Sequence, residues 1–410
     1  MSTQRIFDVA NVRQDFPILH QSVHGKPLVY FDNAATAQKP VAVLAAMQAY
    51  YESINSNVHR GAHTLSDTAT AAFENVRQQV ARFLGAREAA EIIWVRGTTE
   101  ALNLVAQSYG RSQLKAGDEI LVSQLEHHSN IVPWQMVAAQ TNARVIPIPV
   151  NEQGEIDQDA YKRLLSSRTR ILAVNHVSNA LGTINPVKDM IAQAKAVGAV
   201  TVIDGAQATP HVPVNVLDLD CDFYAFSGHK VYGPTGIGAL YGRRAMLEAM
   251  PPWQGGGEMI ERVSFEGTTF NHIPHKFEAG TPAIAEVIGL GAALEYLHAF
   301  NAEDLHRHEQ ALLKRAVELS EGIEGFRAIG TSARKVSVCS FVVEGTHPSD
   351  LGTLLDHQGF AVRTGHHCTQ PLMARFGVPG TVRASFSFYN TLEEVDRFFV
   401  ALDKCIRMCR

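Results

Sequence analysis

Short apolar runs alternate with amphipathic segments through much of the chain, and this pattern constrains the fold more than any other feature. The runs are residues 92–95, 119–122, 170–174 and 199–203, and segments with helical periodicity separate them. Strands separated by helices form parallel sheets that are covered on both faces. We therefore expect an α/β fold built on a mostly parallel sheet.

Polar residues follow these strands directly. Thr98, His127, Asn179, Asp204 and Lys230 each come just past the end of a predicted strand. In parallel sheets, ligands bind beyond the carboxyl ends of the strands. The sequence therefore predicts that these side chains meet at one edge of the sheet and form a ligand site there.

The composition excludes several classes of protein. A chain of 410 residues with a formal net charge of -5 gives no electrostatic case for nucleic acid. No apolar run approaches the roughly 20 residues that span a bilayer, and the N-terminus has no apolar signal region. The five cysteines are scattered and form no CxxC pair, which is typical of free thiols in a reducing compartment. We expect a cytoplasmic protein that binds neither nucleic acid nor membrane.

The order of the predicted elements also indicates the domain organisation. A loop-rich segment and a long helical pattern starting near Val287 separate the first set of strands from a second, smaller set. We predict an N-terminal segment over residues 1–30 that packs with the smaller domain. A large domain over residues 31–290 and a small C-terminal α/β domain over residues 291–410 follow it.

Lys230 lies in the glycine-rich loop Ser227-Gly-His-Lys-Val-Tyr-Gly-Pro-Thr-Gly, directly after a strand-like run. A lysine amine is a useful nucleophile only when its pKa is lowered, and Schiff-base chemistry with a carbonyl cofactor is the usual reason for such a site. Ser227 and His229 flank the lysine with donors suited to a phosphate. Taken alone, however, a lysine in a turn of this kind is more often a surface residue.

Four other residues each have a structural and a functional interpretation. Asp204 is either a helix cap or the partner of a protonated pyridine nitrogen. His127 is either a polar residue at a helix start or a ring that stacks on a cofactor and moves protons. Thr98 and Thr99 are either an N-cap or part of a phosphate site at a helix N-terminus. With Lys230 one strand downstream of Asp204, the cofactor interpretation is favoured.

A second unusual stretch is Arg363-Thr-Gly-His-His-Cys368. The arginine and the two histidines are surroundings that favour the thiolate of Cys368. His366, His367 and Cys368 could instead hold zinc, but adjacent side chains without a second ligand pair give poor tetrahedral spacing, so we expect no metal. Arg383 directs its guanidinium either at solvent or at a carboxylate.

Together, these stretches resemble a known family. They are RGTTE, EHHSNIVPW, HVSN, DGAQ, SGHKVYGPTGIG, EAGTP, RTGHHC and RAS-x-x-x-YNT, in that order from about Phe31 to the C-terminus. They resemble the group II cysteine desulfurases of the SUF and CSD type, which include selenocysteine lyases. Thr369 and Gln370, which follow the cysteine, depart from the pattern, so the choice between the SUF-like and CSD-like subtypes stays open.

The resemblance implies the fold type I, class V aminotransferase-like architecture with a seven-stranded sheet, and pyridoxal 5'-phosphate as the cofactor. By motif match, Lys230 is the cofactor lysine, Cys368 receives the sulfur, His127 stacks on the cofactor ring and Asp204 meets its nitrogen. The other implied cofactor contacts are Thr98, Thr99, Asn179, Gln207, Ser227, His229 and, from the other subunit of a homodimer, Thr281. The implied substrate contacts are Arg383 for the carboxylate, with His59, Asn179 and Arg363.

The function implied by the resemblance is conversion of L-cysteine to L-alanine with a persulfide on Cys368. Sulfur would then pass to a SufE-like acceptor protein for iron–sulfur cluster assembly. Two alternatives within the enzyme class are a selenocysteine lyase, acting on L-selenocysteine, and a cysteine sulfinate desulfinase. An alternative of another class is an inactive cofactor-binding scaffold, and the presence of Lys230, Asp204, Cys368 and Arg383 together argues against it.

Overall fold

A computed structural model describes residues 5–410, and their strands form one large sheet and several smaller ones. The strands are β1 Ser22–Val23, β2 Lys26–Pro27, β3 Val29–Tyr30, β4 Ile92–Val95, β5 Glu119–Ser123, β6 Arg144–Ile148, β7 Thr169–Asn175, β8 Val200–Asp204, β9 Phe223–Ser227, β10 Gly238–Gly242, β11 Ile260–Ser264, β12 Gly267–Phe270, β13 Phe326–Ile329, β14 Val338–Val343, β15 Phe360–Ala361, β16 Arg363–Gly365 and β17 Thr381–Ser385. The helices are α1 Val9–Gln14, α2 Val41–Ala49, α3 Thr64–Leu84, α4 Thr98–Val105, α5 Arg111–Gln113, α6 Val132–Thr141, α7 Gln158–Leu164, α8 Val187–Ala196, α9 Val216–Leu219, α10 Arg244–Ala249, α11 Ile284–His298, α12 Ala302–Ser320, α13 Pro348–His357, α14 Gln370–Arg375 and α15 Leu392–Cys409.

The large sheet has seven strands in the order β4-β10-β9-β8-β7-β5-β6. Strands β5 to β9 pair in parallel, whereas β10 lies antiparallel between β9 and β4. Every residue of β4, β5, β9 and β10 is buried, as expected for a sheet covered on both faces. The predicted mostly parallel sheet of seven strands is confirmed.

Two apolar clusters cover the faces of this sheet. One contains Phe73 of α3, Met190 of α8 and Leu290 of α11, and the other contains Leu102 of α4 and Trp134 of α6. These buried helix faces hold the strands rigidly beneath the loops that follow their carboxyl ends. Among the helices of residues 5–410, none has the length and the apolar character needed to cross a membrane.

Helix α3 illustrates how the sequence specifies these elements. Phe73, Val76, Val80 and Leu84 recur every three or four residues, and all of them are buried. This spacing places them on one face of the helix, which packs toward the sheet. Gly85 ends the helix in the left-handed conformation at φ +67°, which glycine adopts without the steric penalty of a Cβ atom.

A second sheet, antiparallel and in the order β13-β14-β17-β16, lies in the C-terminal part of the chain. Helices α12, α13 and α15 pack around it. Helix α15 begins with a capping box in which Thr391 and Glu394 satisfy each other's backbone N–H groups. Strand β15 is adjacent to β16 in sequence, but it pairs instead with β3 near the N-terminus.

The N-terminal segment packs against the C-terminal part of the chain. The rings of Phe16 and Tyr389 lie 4.6 Å apart between centroids, and Arg13 pairs with Glu394 at 2.8 Å. The packing predicted for residues 1–30 falls partly on residues 1–4, which lie outside the described residues. The division into three domains stays a prediction.

A buried ion pair connects α3 to the segment that precedes α11. The Arg77 side chain is 1% exposed, and it pairs with Glu278 at 2.6 Å and with Glu74 at 2.8 Å. Glu278 also accepts a hydrogen bond from the backbone N–H of Trp94 in β4, at 2.7 Å. Arg77 therefore neutralises a buried carboxylate that also bonds to the sheet.

Substitution Arg77→Met tests this connection. We expect a loss of about 3–5 kcal/mol in the free energy of unfolding, because Glu278 stays buried without its cation. Differential scanning calorimetry should show a clearly lower Tm than for the wild type. Arg82→Met, an exposed position on the same helix, is the matched control, and equal Tm values for the two variants would contradict the prediction.

Candidate active site

A cavity of about 270 Å³ lies beyond the carboxyl ends of the parallel strands. Twelve of the fourteen predicted site residues line it, and only His59 and Thr281 do not. The twelve are Thr98, Thr99, His127, Asn179, Asp204, Gln207, Ser227, His229, Lys230, Arg363, Cys368 and Arg383. Residues that are distant in sequence therefore come together where the strand pattern predicts a ligand site.

Lys230 lies in a single 3-10 turn, Gly228–Lys230, directly after β9. Burial lowers the pKa of its amine to about 8; the nearby charge of Arg383 acts in the same direction, and the Asp204 carboxylate opposes them. Nζ lies 3.5 Å from Oε1 of Gln207. About a tenth of this amine is therefore unprotonated at pH 7, far more than for a lysine with the ordinary pKa, and a nucleophilic or basic lysine requires this form.

Asp204 and His127 both make the local backbone hydrogen bonds expected from their structural interpretations, and their roles toward a cofactor stay predictions. Oδ1 of Asp204 accepts from the backbone N–H of Ala206 at 2.9 Å, and burial raises the pKa of the carboxyl group. Burial, with the charge of Lys230, lowers the pKa of His127 to about 4, so its ring is neutral at pH 7. The backbone N–H of Ser129 donates to Nδ1 of His127 at 3.1 Å. The proton of the neutral ring is therefore on Nε2.

A set of hydroxyl and amide donors forms one end of the cavity, at the N-terminus of α4. Ser227 Oγ lies 2.9 Å from both the backbone nitrogen and the hydroxyl of Thr98. Gly97 precedes the helix at φ +152°, and a Cβ there would lie 3.1 Å from Ser227 Oγ. The unpaired N–H groups and the dipole of a helix N-terminus favour an anion, and phosphate is a frequent occupant.

Sequence reasoning did not identify Asp32, which bonds to two of the predicted arginines. Its carboxylate pairs with Arg383 at 3.1 Å and with Arg363 at 3.0 Å. Arg383 is 2% exposed and also donates to the carbonyl of Asn179 at 2.8 Å. Nε of Arg383 is buried and has no hydrogen-bond partner in residues 5–410, so one donor remains for a ligand.

Cys368 is exposed and lies at the rim of the cavity. His367 and Cys368 both have positive φ, at +50° and +56°, which makes a tight turn. Hydrogen bonds fix this turn: the Cys368 carbonyl accepts from the backbone N–H of His128 at 2.8 Å, and the His367 carbonyl accepts from the side chain of Asn179 at 2.8 Å. The turn therefore presents the thiol on an anchored backbone.

Glu126 is another group that was not predicted, and it directly precedes His127 in the chain. It is fully buried and accepts from the side chain of Asn130 at 2.7 Å and from the backbone of Asn175 at 3.0 Å. Burial raises its pKa to about 8. The only sequence signal was a charged residue at the end of an apolar strand, next to the more conspicuous pair His127 and His128.

His59 and Thr281 line a separate surface groove that also contains Glu258. His59, Glu258 and His275 have potential metal-ligand atoms within 4.8 Å of one another. However, Glu258 already pairs with Arg60 at 3.0 Å, and His59 pairs with a second carboxylate, that of Glu74, at 2.9 Å. We interpret the group as an ion-pair cluster, and the absence of a metal stays a prediction.

The class of protein follows from the fold together with the comparison of the chain with known families. The class V aminotransferase family matches residues 29–398, and the chain belongs to this family. A protein of Vibrio cholerae named a probable cysteine desulfurase is 53% identical over 395 residues, which are 96% of this chain and 98% of that protein.

Solved structures give the same result. The crystal structure of the cysteine desulfurase CsdA from Escherichia coli has a TM-score of 0.90 and 44% identity, and the match covers 98% of this chain and 100% of that one. The apo structure of a cysteine desulfurase from Thermococcus onnurineus NA1 has a TM-score of 0.93 and 39% identity over 100% of both chains. The predicted resemblance to cysteine desulfurases and the class V aminotransferase-like fold are confirmed.

The lowered pKa of Lys230 has a measurable effect on stability. Between pH 8 and about 10.5 the unfolded lysine holds a proton that the folded one has lost, so stability rises with pH. Below pH 8 the buried charge costs about 3 kcal/mol. We expect Lys230→Met to raise the Tm of the cofactor-free protein at pH 7, and the difference from wild type to shrink toward pH 10.

Lys115→Met is the control for this measurement, because Lys115 is exposed. Its Tm difference from wild type should be small at both pH values. A Lys230→Met difference that stays constant between pH 7 and pH 10 would show that the amine has an ordinary pKa.

Proposed function

We propose that this chain is a pyridoxal 5'-phosphate-dependent cysteine desulfurase that converts L-cysteine to L-alanine and retains the sulfur as a persulfide on Cys368. One observation carries the proposal: the Lys230 amine, with a pKa of about 8, and the exposed Cys368 thiol line the same cavity. Carbonyl-cofactor chemistry requires the amine, and removal of sulfur by nucleophilic attack requires the thiol. The names of the relatives support the same activity.

The groups in the cavity fit pyridoxal phosphate. The N-terminus of α4 with Thr98, Thr99, Ser227 and His229 would hold the phosphate, Asp204 would pair with the ring nitrogen, and His127 would stack on the ring. Gln207 and Asn179 would contact the oxygen side of the ring. When bound, the cofactor supplies an electron sink that makes the Cα–H bond of an amino acid acidic.

Arg383 binds the substrate carboxylate in this proposal. Its free Nε donor is buried in the cavity wall, and a planar guanidinium suits a carboxylate geometrically. Asp32 holds Arg383 and Arg363 until the substrate arrives. The neutral Lys230 amine takes the proton from Cα, and the Asp204 carboxylate stabilises positive charge at the far side of the cavity.

The sulfur step uses the Cys368 thiolate as the nucleophile. A bond forms between Sγ of Cys368 and the substrate sulfur while the substrate Cβ–S bond breaks, and the electron pair of that bond stays with the carbon fragment. Protonation of this fragment, with Lys230 as the proton carrier, gives alanine. Cys368 is exposed, which leaves the persulfide accessible to a SufE-like acceptor protein for iron–sulfur cluster assembly. We place the reaction in the cytoplasm.

Selenocysteine lyase activity is a second candidate, and it uses the same side chains. Selenium forms a weaker bond to carbon than sulfur does, so it can leave as elemental selenium without attack by a thiol, while the electron pair of the Cβ–Se bond stays with the carbon fragment that becomes alanine. The free Cys368 is what favours the desulfurase as the main activity, since a lyase for selenocysteine alone has no need of that thiol.

Substitution Lys230→Ala tests the proposed function. Alanine and sulfide are measured after addition of cysteine and a thiol reductant. We expect turnover to fall below detection, because the cofactor attachment and the base disappear together. Lys276→Ala serves as a control outside the cavity. Retained alanine production in Lys230→Ala would refute the site assignment.

Cys368→Ala separates the cofactor steps from the sulfur step. With cysteine, the variant should still change its visible absorption spectrum, because Lys230, Asp204 and Arg383 are intact, but alanine formation and persulfide labelling should be lost. With selenocysteine, much of the activity should survive. Cys409→Ala, a thiol on α15 away from the cavity, is the matched control. Normal cysteine turnover in Cys368→Ala would exclude the persulfide mechanism.

The active form is proposed to be a homodimer with shared sites. Thr281 is exposed and lies in a groove apart from the cavity, and the nearby hairpin of β11 and β12 exposes Val263, Phe265 and Phe270. Contiguous exposed apolar side chains mark interaction surfaces. A second copy seated there would bring Thr281 to the phosphate end of its partner's cavity.

A mixed dimer tests this arrangement. In a dimer of one Lys230→Ala chain and one Thr281→Ala chain, purified with two different tags, shared sites leave one cavity with both wild-type residues. We therefore expect about half the wild-type turnover per dimer, whereas each parent homodimer is impaired at both sites. Activity no higher than that of the Thr281→Ala parent, or a fully active monomer in analytical ultracentrifugation, would contradict the shared site.

A further inference from the structure

His128 makes two hydrogen bonds to the segment that carries Cys368. We call this segment, residues 366–370, the Cys368 turn. The backbone N–H of His128 donates to the Cys368 carbonyl at 2.8 Å, and Nε2 of its ring lies 3.1 Å from the backbone nitrogen of Gln370. His128 and Gln370 are 242 residues apart in the chain. The loop that follows β5 is therefore bonded directly to the Cys368 turn.

The bond to the ring has only one possible direction. A backbone N–H group only donates, so Nε2 of His128 holds a lone pair and the hydrogen of the ring is on Nδ1. Burial and the neighbouring His366 both lower the pKa of His128 from its ordinary value, so the ring is neutral at pH 7 and can accept this bond.

The start of α14 needs such an acceptor. Gln370 is the first residue of α14, and the N–H groups in the first turn of a helix have no partner within the helix. The side chain of Thr369, which precedes the helix, caps none of these groups within residues 5–410. The ring of His128 therefore satisfies a backbone donor that the local sequence leaves without a partner.

The other bonds of the Cys368 turn do not replace this one. Asn179, in the loop after β7, donates to the His367 carbonyl at 2.8 Å and so holds the side of the turn that precedes Cys368. Nδ1 of His366 accepts from the backbone N–H of Cys368 at 3.1 Å, but this bond lies within the turn and cannot hold it against the sheet. The ring of His128 holds the side of the turn that leads into α14.

His128 also links the turn to the wall of the cavity. It directly follows His127, whose side chain lines the cavity, and the centroids of the two rings lie 6.3 Å apart. The ring of His128 packs instead beside that of His366, with 5.5 Å between centroids. Two adjacent residues therefore fix the position of the Cys368 turn relative to the cavity.

We propose that His128 is a positioning residue whose ring holds the Cys368 turn in place, so that the thiol stands at a fixed distance from the substrate sulfur. His128 does not line the cavity, so it acts through the turn and not on the reacting atoms. Placement of a nucleophile matters strongly, since a displacement of about 1 Å can cost a factor of about 100 in rate. The proposal rests on the proposed function only in taking Cys368 as the group that receives the sulfur.

Hydrogen–deuterium exchange of the purified protein, followed by mass spectrometry, tests the anchor without turnover. His128→Leu removes the acceptor, whereas His128→Gln keeps one, because its amide oxygen can take the place of Nε2. We expect the peptide that contains Gln370 to exchange about 5-fold faster in His128→Leu and at close to the wild-type rate in His128→Gln. His128→Asn, whose amide is too short to reach Gln370, should resemble His128→Leu.

Peptides from α8, which lies away from the turn, show whether a variant is folded, and their exchange should be unchanged in all three variants. Wild-type exchange of the Gln370 peptide in both His128→Leu and His128→Asn would overturn the proposal.

The second readout separates the steps of the reaction. After mixing with cysteine, the change in the visible spectrum reports the steps that use Lys230, and quenched samples report alanine and persulfide. In His128→Leu we expect the spectral change at the wild-type rate and alanine formation about 10-fold slower. His128→Gln should restore alanine formation, and His306→Leu, an exposed histidine on α12, is the matched control.

Alanine formation at the wild-type rate in His128→Leu, or equal slowing of the spectral change and of alanine formation, would refute the positioning role. If the wild-type protein forms no alanine from cysteine, the proposed function fails, whereas the exchange measurement still decides whether His128 holds the turn.

Discussion

The burial of the central sheet on both faces is the constraint on which the site depends. Because apolar clusters cover both faces of the strands, polar groups on these strands collect where the strands end. The same covering removes water from those ends, which lowers the pKa of Lys230 and raises that of Asp204. The fold thus produces the opposite pKa shifts of the two groups by one physical cause, desolvation, before any ligand is considered.

This constraint also explains how much was predictable from the sequence. Strand ends are visible as boundaries between apolar and polar residues, so the location of Lys230 and Asp204 at one edge of the sheet was predictable from position, whereas their roles depended on the family resemblance. The importance of Asp32 was not predictable in this way. Its partners Arg363 and Arg383 are 331 and 351 residues away in the chain, and local sequence patterns do not reveal such contacts. Glu126 was not predicted for another reason. The four hydrogen bonds that its carboxylate accepts come from Ser123, Asn130 and Asn175, and residues of these types are common in ordinary turns.

Helix α12 and strand β13 show a further limit of sequence reasoning. The sequence pattern predicts neither element, although α12 carries Glu309, whose carboxylate is buried against the turn that follows β8. A glutamate among many charged residues on an amphipathic helix is usually solvated, and only the packing of that helix shows which one is not. The hairpin of β11 and β12 was not predicted because it is exposed. All but one of its strand residues are exposed, so burial imposes no alternating apolar pattern on its sequence.

The ion pairs of Asp32 with two arginines affect the free energy with which any carboxylate can bind in the cavity. An incoming amino acid does not meet bare guanidinium groups, because an internal carboxylate already occupies part of their bonding capacity. The free energy of binding is then the difference between two similar ion pairs, one within the protein and one with the ligand. With Arg383 as the proposed partner of the substrate carboxylate, such an exchange would make the net affinity for an amino acid lower than that of an unpaired guanidinium group. In the proposed desulfurase, Asp32 would then compete with bound alanine for the two arginines and so favour its release.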